Sequence, residues 1–511
     1  MRKITKGAAL AAACAAAAAG LTGCADAGGG AGGGSDTLKI ATLTLPQSLD
    51  PADAGGSALP FFQAAYDTLL KREPDGSFSP MLATKWEYNA DRTELRLTLR
   101  GDVKFDDGSA FDAKAVKANM ERFAKKKGSQ ARTLQDVKSI EVADATHVTM
   151  KLSKPNPAML FYLSDAAGLM ANPASFAKPG DPLKTRPDGT GPYDLDAKQT
   201  AIGTRWVFTA APRYWGAKLP YKTLTFSYFN NETAIVNGIR TKQINAAVLQ
   251  DADKQISIES AAGVKTVKQE FDVQSLLLFD RGGALVPALK DARVRQALNH
   301  AIDRDTMLSK IRQGRGKVTN QIFGTGTKAY DPRFDSYYAH DPAKAKELLK
   351  QAGHENGFAL KLPRIPAIVP DALASSLQAD LGAIGVKLTW ENVDQSAIRK
   401  IFTDRRYPGM VMNNGQPATD WITIGELVLP GTFNMFGTMD DRIKGLVPRI
   451  QAAEAEQARG DLRALNEHLV KEAWFVPFYR MSYLHVSDGS VKITPQEGMA
   501  LPSIYNYSPA K

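Results

Sequence analysis

The period of the apolar positions switches along the chain between two and about 3.6, and each switch marks a predicted element. Leu95, Leu97 and Leu99 alternate with Arg96, Thr98 and Arg100, the pattern of a half-buried strand. Asn89–Arg92 supplies a turn before it, and Asp106-Asp107-Gly108 a turn after Phe105. Asp112 then stands at the cap position of a helix that gathers Val116, Met120 and Phe123 on one face. Leu38–Leu43 reads as a short strand, and Val137–Leu152 as two strands about a turn at Asp144-Ala145. Residues 170–193, rich in Pro, Gly and Asp, predict a long irregular connection.

The second half of the chain alternates helix and strand. Ile235–Ile244 and Ala246–Leu249 form one such unit, and Ser275–Phe279 reads as an apolar strand. In Asp291–Arg304, the residues Val294, Ala297, Leu298, Ala301 and Ile302 recur at helical spacing and bury one face. Asp341-Pro342 opens a helix that Gly353 closes, with Ala345, Leu348, Leu349 and Ala352 as its buried stripe. The strand Phe358–Leu362, the helix Asp371–Ile384 ended by Gly385, and the strand Val386–Trp390 follow. Helices over Asp440–Ala458 and Asp461–Ala473 lead to a strand at Phe475–Tyr479. This alternation predicts an α/β lobe on a parallel or mixed sheet.

Composition adds size and compartment. A chain of 511 residues exceeds one core, so two or three domains are expected, and 43% hydrophobic with 23% charged residues excludes wholesale disorder. Arg2, Lys3 and Lys6 precede an apolar run from Ala8 to Ala19 that is too short to span a bilayer, the layout of a secretory signal. Loss of that signal lowers the formal charge from +10 to +7. The remaining charge is dispersed, and its longest run, Lys125-Lys126-Lys127, reads as a solvated helix end and not as a nucleic-acid module. Leu21-Thr22-Gly23-Cys24 resembles a bacterial lipobox, which implies cleavage before Cys24 and lipid on that residue. Ala25–Asp36, nearly all Gly and Ala, would then be a flexible tether of about 20 Å. Cys14 falls in the removed segment, so no disulfide or thiolate site is expected in the mature chain.

Enzyme motifs are missing. No G-x-S-x-G elbow occurs, and His354-Glu355 lacks the second histidine of a zincin. Gly324-Thr325-Gly326 is followed by Tyr330-Asp331-Pro332 where a nucleotide-binding helix would have to begin, so it reads as a loop. The six histidines are scattered, and His300 on its helix reads as structural. Neither catalysis, nor a metal, nor a cofactor is expected.

Several phrases together resemble family 5 of the extracellular solute-binding proteins, the dipeptide, oligopeptide and nickel binders of ABC importers. They are Pro80–Phe123, Tyr66-Asp67-Thr68-Leu69-Leu70, Gly189-Thr190-Gly191-Pro192-Tyr193, Arg213-Tyr214-Trp215-Gly216 and Asp291–Arg304. Ala211 stands where the family usually has Asn, and Asp280 follows Phe279 where many relatives have Asn. The resemblance implies an α/β, two-lobed fold of the periplasmic-binding-protein type, with an extra subdomain in the first lobe and a ligand cleft between the lobes. Its implied boundaries are 1–23 for the signal, 24–36 for the lipidated cysteine and tether, 37–62 with 186–277 and 481–511 for lobe 1, 63–185 for the accessory subdomain, and 278–480 for lobe 2. It also implies hinge closure on a solute, docking on a permease served by ATPase subunits, a monomer, and an extracytoplasmic location at the membrane through lipid on Cys24.

The resemblance places the ligand at Ala418-Thr419-Asp420-Trp421, where relatives use an Asp to grip a peptide's ammonium group. Asp420 is the expected anchor, with Trp421 as an apolar wall and Thr419 and Asn414 beside it. The competing reading makes Asp420 the cap of a helix beginning at Trp421. Gly55, Gly56 and Ser57, small residues after Asp50-Pro51, are expected to line the cleft from lobe 1. The Arg that holds a peptide carboxylate in dipeptide-binding relatives is missing before Gln378-Ala379-Asp380. Arg364, Arg405 and Arg406 are more naturally surface residues. The expectation is therefore a peptide or peptide-like solute. Alternatives are a cationic small molecule, a metal chelate or an oligosaccharide and, in a different class, a lipid-anchored hydrolase or a peptide sensor or chaperone.

Overall fold

A computed structural model describes residues 36–510 apart from 56, 57, 127, 129 and 177. The signal, Cys24, nearly all of the tether, Gly56 and Ser57 lie outside the described residues. A nine-stranded mixed sheet runs through the molecule. Its strands are β1 (Thr37–Thr42), β2 (Tyr193–Leu195), β3 (Arg205–Ala210), β4 (Thr223–Tyr228), β5 (Ala246–Leu249), β6 (Lys265–Leu278), β7 (Gly316–Val318), β8 (Gly409–Gly415) and β9 (Phe475–Ser487). The order is β8-β6-β9-β5-β1-β4-β3-β2, with β7 also paired to β9. β1 lies parallel to β4 and β5, while β6 and β9 pair antiparallel from Lys265↔Ser487 to Leu277↔Phe475. At about 3.4 Å per residue these two strands extend over about 40 Å.

One end of the β6–β9 pair belongs to each half of the molecule. Leu484 and Val486 pack with Ile235, Ile239 and Ile258 of the first half. Val476 and Phe478 pack with Val294, Leu298 and Leu360 of the second. The apolar strands predicted at Ser275–Phe279 and Phe475–Tyr479 are thus the second-half ends of much longer strands. Polar residues hid the rest: Ser482, His485 and Ser487 are buried on β9, where the Ser482 carbonyl accepts from Gln255, His485 Nε2 meets Gln269 and the Ser487 hydroxyl donates to the Val491 carbonyl.

The opening motif forms as its pattern dictates. Glu94–Leu99 buries Leu95, Leu97 and Leu99 in a four-stranded antiparallel sheet, and Asp112 caps the helix Ala113–Lys125 by accepting from the Ala115 N–H at 2.8 Å. Lys126 departs from expectation. It is not a solvated end but joins Arg122 in an ion network on the fully buried Asp50. Arg122 holds Asp50 through both oxygens, and Lys126 also reaches Asp181 at 3.0 Å. Burial alone would raise the Asp50 carboxyl, yet these two cations hold it well below the usual carboxylate range.

Two predicted helices were drawn too long. Asp291–Arg304 is Ala292–Ala301 followed by a separate helix, Arg304–Ile311, because Ile302 is extended and Asp303 caps the second helix through the Thr306 N–H. Asp440–Ala458 stops at Ala452, where Ala453 turns extended. His300 is structural as read, with Nδ1 2.9 Å from the Ala339 carbonyl.

The family-like phrases at residues 66–70, 189–193 and 213–216 meet at one side chain. Asp67, 1% exposed, accepts from Trp215 Nε1 at 2.8 Å and Thr190 Oγ1 at 3.1 Å on one oxygen. Its other oxygen accepts from the Tyr505 hydroxyl at 3.1 Å and the Tyr214 hydroxyl at 3.2 Å. Gly189 and Gly191 are required for this approach, since a Cβ on either would lie 2.3 Å from Ala65 backbone atoms. With no cation beside it, burial pushes the Asp67 carboxyl up to about 7 despite four donors. The folded state then binds this proton more tightly than the unfolded chain, so Asp67 contributes stability below about pH 4 that is lost as pH rises towards 7. Denaturant titrations between pH 5 and 7.5 are expected to show wild type losing about 2 kcal/mol more than Asp67→Asn over that window. Equal slopes would contradict the assignment.

Candidate functional site

Asp420 begins a short helical turn, Asp420–Thr423, that continues as a wider π-turn over Ile424–Val428. Thr419 occupies the cap position, but its side chain makes no capping bond. The Asp420 carboxylate turns instead to the loop after Gly324. One oxygen accepts from the Lys328 N–H at 3.0 Å and the other from the Ala329 N–H at 3.1 Å, while the Thr327 hydroxyl donates to the Gly324 carbonyl at 2.9 Å. Asp420 is 5% exposed, and burial raises its carboxyl above the usual range against these backbone donors. A carboxylate that waits for a ligand in a cleft would have to stay hydrated until it arrived. Asp420 is held differently, because backbone amides already satisfy it.

The loop it holds was legible as a loop but not as part of the site. Gly324-Thr325-Gly326-Thr327 forms a turn closed by the Thr327 N–H on the Gly324 carbonyl at 3.0 Å. Gln416 packs on Gly324 and donates to the Ile322 carbonyl at 3.1 Å, while its own side-chain oxygen is buried without a partner. Trp421, 8% exposed, belongs to the second lobe's core with Ile424 and Leu427. Asn414 lies on β8 and accepts from Ser275 Oγ at 3.4 Å.

These residues face the first half of the chain across a seam. Ala418 abuts both Gly76 and Gly498, where added Cβ atoms would come within 3.0 Å and 2.7 Å of it. Gly326 lies beside the Glu497 carboxylate, and Arg132 reaches Glu426 at 3.2 Å. Ala158 packs in the second lobe's core, with Tyr162 against it, and Gln451 donates to the Pro155 carbonyl at 2.9 Å. Residues 74–76, 155–162 and 496–498 thus oppose residues 324–328 and 416–426. Burial raises the carboxyls of Glu426 and Glu497, with Arg132 partly offsetting this at Glu426.

The remaining predicted residues are elsewhere or already engaged. Gly55 accepts from the Ala58 N–H, and among the described residues no hydrogen bond links it to the Asp420 phrase. Arg364 is spent on the Val369 carbonyl and Asp371, and Arg406 on Glu391 and Tyr407. The chain has a Ser-x-x-Lys spacing at Ser175–Lys178. Lys178 Nζ is 3.4 Å from Ser175 Oγ, but that hydroxyl is buried and donates to Asp188 at 2.6 Å, which leaves no activated nucleophile. Among the described residues no cluster of three His, Cys, Asp or Glu is placed to hold a metal ion, and no helix is long and apolar enough to cross a membrane. A cavity of about 750 Å³ in the first half, walled by Asp106, Asp194, Arg213, Tyr214 and Trp215, contains none of the predicted site residues.

Because Asp420 is structural in this state, Asp420→Ala is expected to cost about 2–4 kcal/mol by stranding two buried amides, and Asp420→Asn less. Urea denaturation measures both, and an Asp420→Ala variant as stable as wild type would contradict the bonding described.

Comparison with known proteins agrees with this architecture. Residues 77–424 match the model of the bacterial extracellular solute-binding proteins, family 5. The glutathione-binding protein GsiB of Salmonella paratyphi A is 29% identical over 329 residues, which are 62% of this chain. The matched stretch spans 61% of that relative's length. NikA from Brucella suis, in complex with Fe(III)-EDTA, superposes with a TM-score of 0.78 at 25% identity, covering 93% of this chain and 99% of that one. DppA from Helicobacter pylori, in complex with the peptide STSA, gives 0.77 at 21% identity, covering 93% and 98%. Both are two-lobed periplasmic binding proteins. The chain belongs to family 5 of the bacterial extracellular solute-binding proteins.

Proposed function

We propose that the protein is the solute receptor of an ABC importer, held at the outer face of the cell membrane by lipid on Cys24. Its two lobes close on a peptide or peptide-like solute and present it to a permease driven by ATPase subunits. The observation that carries this reading is the seam. Two lobes joined by the β6–β9 pair meet again at the Asp420 phrase, through the few contacts described above. Register shifts between Glu270 and Val273 and between Gln274 and Ser275 interrupt the β6–β9 ladder midway. Such bulges bend a strand, and they are where the lobes would rotate.

In this reading Asp420, Thr419, Trp421 and Asn414 form the second-lobe side of the solute site. Asp420 acts by holding the 324–329 loop in place, and its remaining acceptor capacity faces the solute. Similarity to a glutathione-binding protein favours a short peptide or peptide-like cargo over a sugar. The absence of an activated nucleophile at Ser175 weighs against a hydrolase.

Native mass spectrometry of the purified mature protein tests the proposal. A retained peptide-like solute of intact mass is expected, released on mild denaturation. Conversion of added peptides to fragments by the purified protein would overturn it in favour of the hydrolase.

A further inference from the structure

We propose that Arg72 recognises the solute and that the group it recognises is a carboxylate; the inference rests on the receptor reading above and supplies the chemistry of its cargo. Arg72 ends the strand Leu70–Arg72 and is 4% exposed. Its guanidinium lies over the Phe161 ring, 4.2 Å from the centroid, and makes one contact to a carboxylate, Nη2 to Asp165 Oδ2 at 3.2 Å. Nε and Nη1 are buried and have no hydrogen-bond partner.

A guanidinium carries five N–H donors, and a buried one is stable only when they are met. Two other buried arginines, Arg295 and Arg304, obey this rule, while Arg480 leaves only Nε unmet. Arg295 spends all three nitrogens on the carbonyls of Leu289, Lys290, Glu472 and Ala473. Arg304 spends its own on Pro477 and Asn299. Arg281 also has two unpaired nitrogens, but it is stacked on Trp474 within the second lobe. Arg72 differs by its place. Its carbonyl accepts from Gln496 at 2.9 Å, the turn after it brings Gly76 against Ala418, and Phe161 precedes the Tyr162 that packs on the second lobe. Its unpaired donors therefore lie behind the first-lobe wall of the seam, between Phe161 and Asp165, both of which are only partly buried.

Across the seam the charged groups are already engaged or acidic. Asp420 accepts from the loop amides, Glu426 pairs with Arg132, and Lys328 pairs with Glu456. On the first-lobe side Glu497 is a carboxylate, and the unmet donor capacity is that of Arg72. Nε and Nη1 flank the nitrogen used by Asp165, so a planar carboxylate can bridge the one edge of the guanidinium whose Nη2 hydrogen Asp165 leaves free, and the remaining nitrogen can donate singly. Arg72 would then fill the role of the second-lobe arginine that this chain lacks before Gln378, but from the opposite lobe.

The test is calorimetry with peptides of two to five residues bearing uncharged side chains, each matched with its C-terminal amide, on wild type, Arg72→Met and Arg72→Lys. Wild type is expected to bind the free acids at least tenfold more tightly than the amides. Arg72→Met should lose that preference while keeping the amide affinity, Arg72→Lys should keep part of it, and the ligand-free melting temperature of Arg72→Met should not fall. Equal affinity of acids and amides for wild type, a comparison that needs no variant, overturns the inference and leaves the receptor reading standing. Equal loss of acid and amide binding in Arg72→Met, with a lowered melting temperature, overturns it in favour of a structural arginine. Failure of every peptide to bind wild type overturns the peptide-receptor reading and this inference with it.

Discussion

The β6–β9 pair sets the terms for the rest of the molecule. All thirteen residues of β9 are buried, while β6 is exposed at its start and buried only from Val273 onward. A strand buried along its whole length must find partners for the polar side chains it carries, and β9 meets most of that demand, leaving Arg480 Nε and His485 Nδ1 unpaired. Arg480 pairs with Asp335 at 2.7 Å and donates to the Phe323 carbonyl at 3.0 Å. His485, its imidazole pushed down to about 4 by burial, meets Gln269 at 2.8 Å. With β9 pinned this firmly, the proposed closure of the lobes would concentrate where the ladder is already irregular, at residues 270–275.

Buried charge decides geometry within each lobe too. Asp67 gathers four donors from three distant stretches of chain, and Asp50 gathers Arg122 and Lys126 from the far end of a helix. Breaking either by removing one partner leaves an uncompensated buried group, which is what makes such contacts specific. Asp420 follows the same logic in the second lobe: its backbone partners make it a fastener for the 324–329 loop. Among the buried side chains at the seam, Arg72 stands out because its surroundings fall short of its donors.

Much of the fold was legible because local patterns and tertiary structure agree. The Leu95–Leu99 alternation, the Asp112 and Asp341 caps and the glycines at 353 and 385, both at positive φ, each fix an element with no help from afar. What escaped was non-local. Nothing near Ser482 or His485 in sequence shows that partners wait on β6 and on the helix Ala252–Glu259, so β9 looked eight residues shorter than it is. The Asp420 phrase was found by resemblance, yet its partner loop lies some 90 residues away, and so its true bonding was hidden. Arg72 was invisible for the same reason: a Lys-Arg-Glu run reads as solvent-facing until Phe161 and Asp165 are brought over it.

The central claim is that the lobes close on a solute bound at the seam. The mature chain is read as holding no cysteine but the lipidated one, so Ile202→Cys and Tyr337→Cys, at two exposed positions in opposite lobes, give a clean pair for spin labels. Pulsed dipolar spectroscopy then reads the inter-lobe distance directly. The account predicts a broad or longer distribution without solute that narrows and shortens when a carboxylate-bearing peptide binds. An unchanged distribution under conditions where calorimetry records saturation would contradict it.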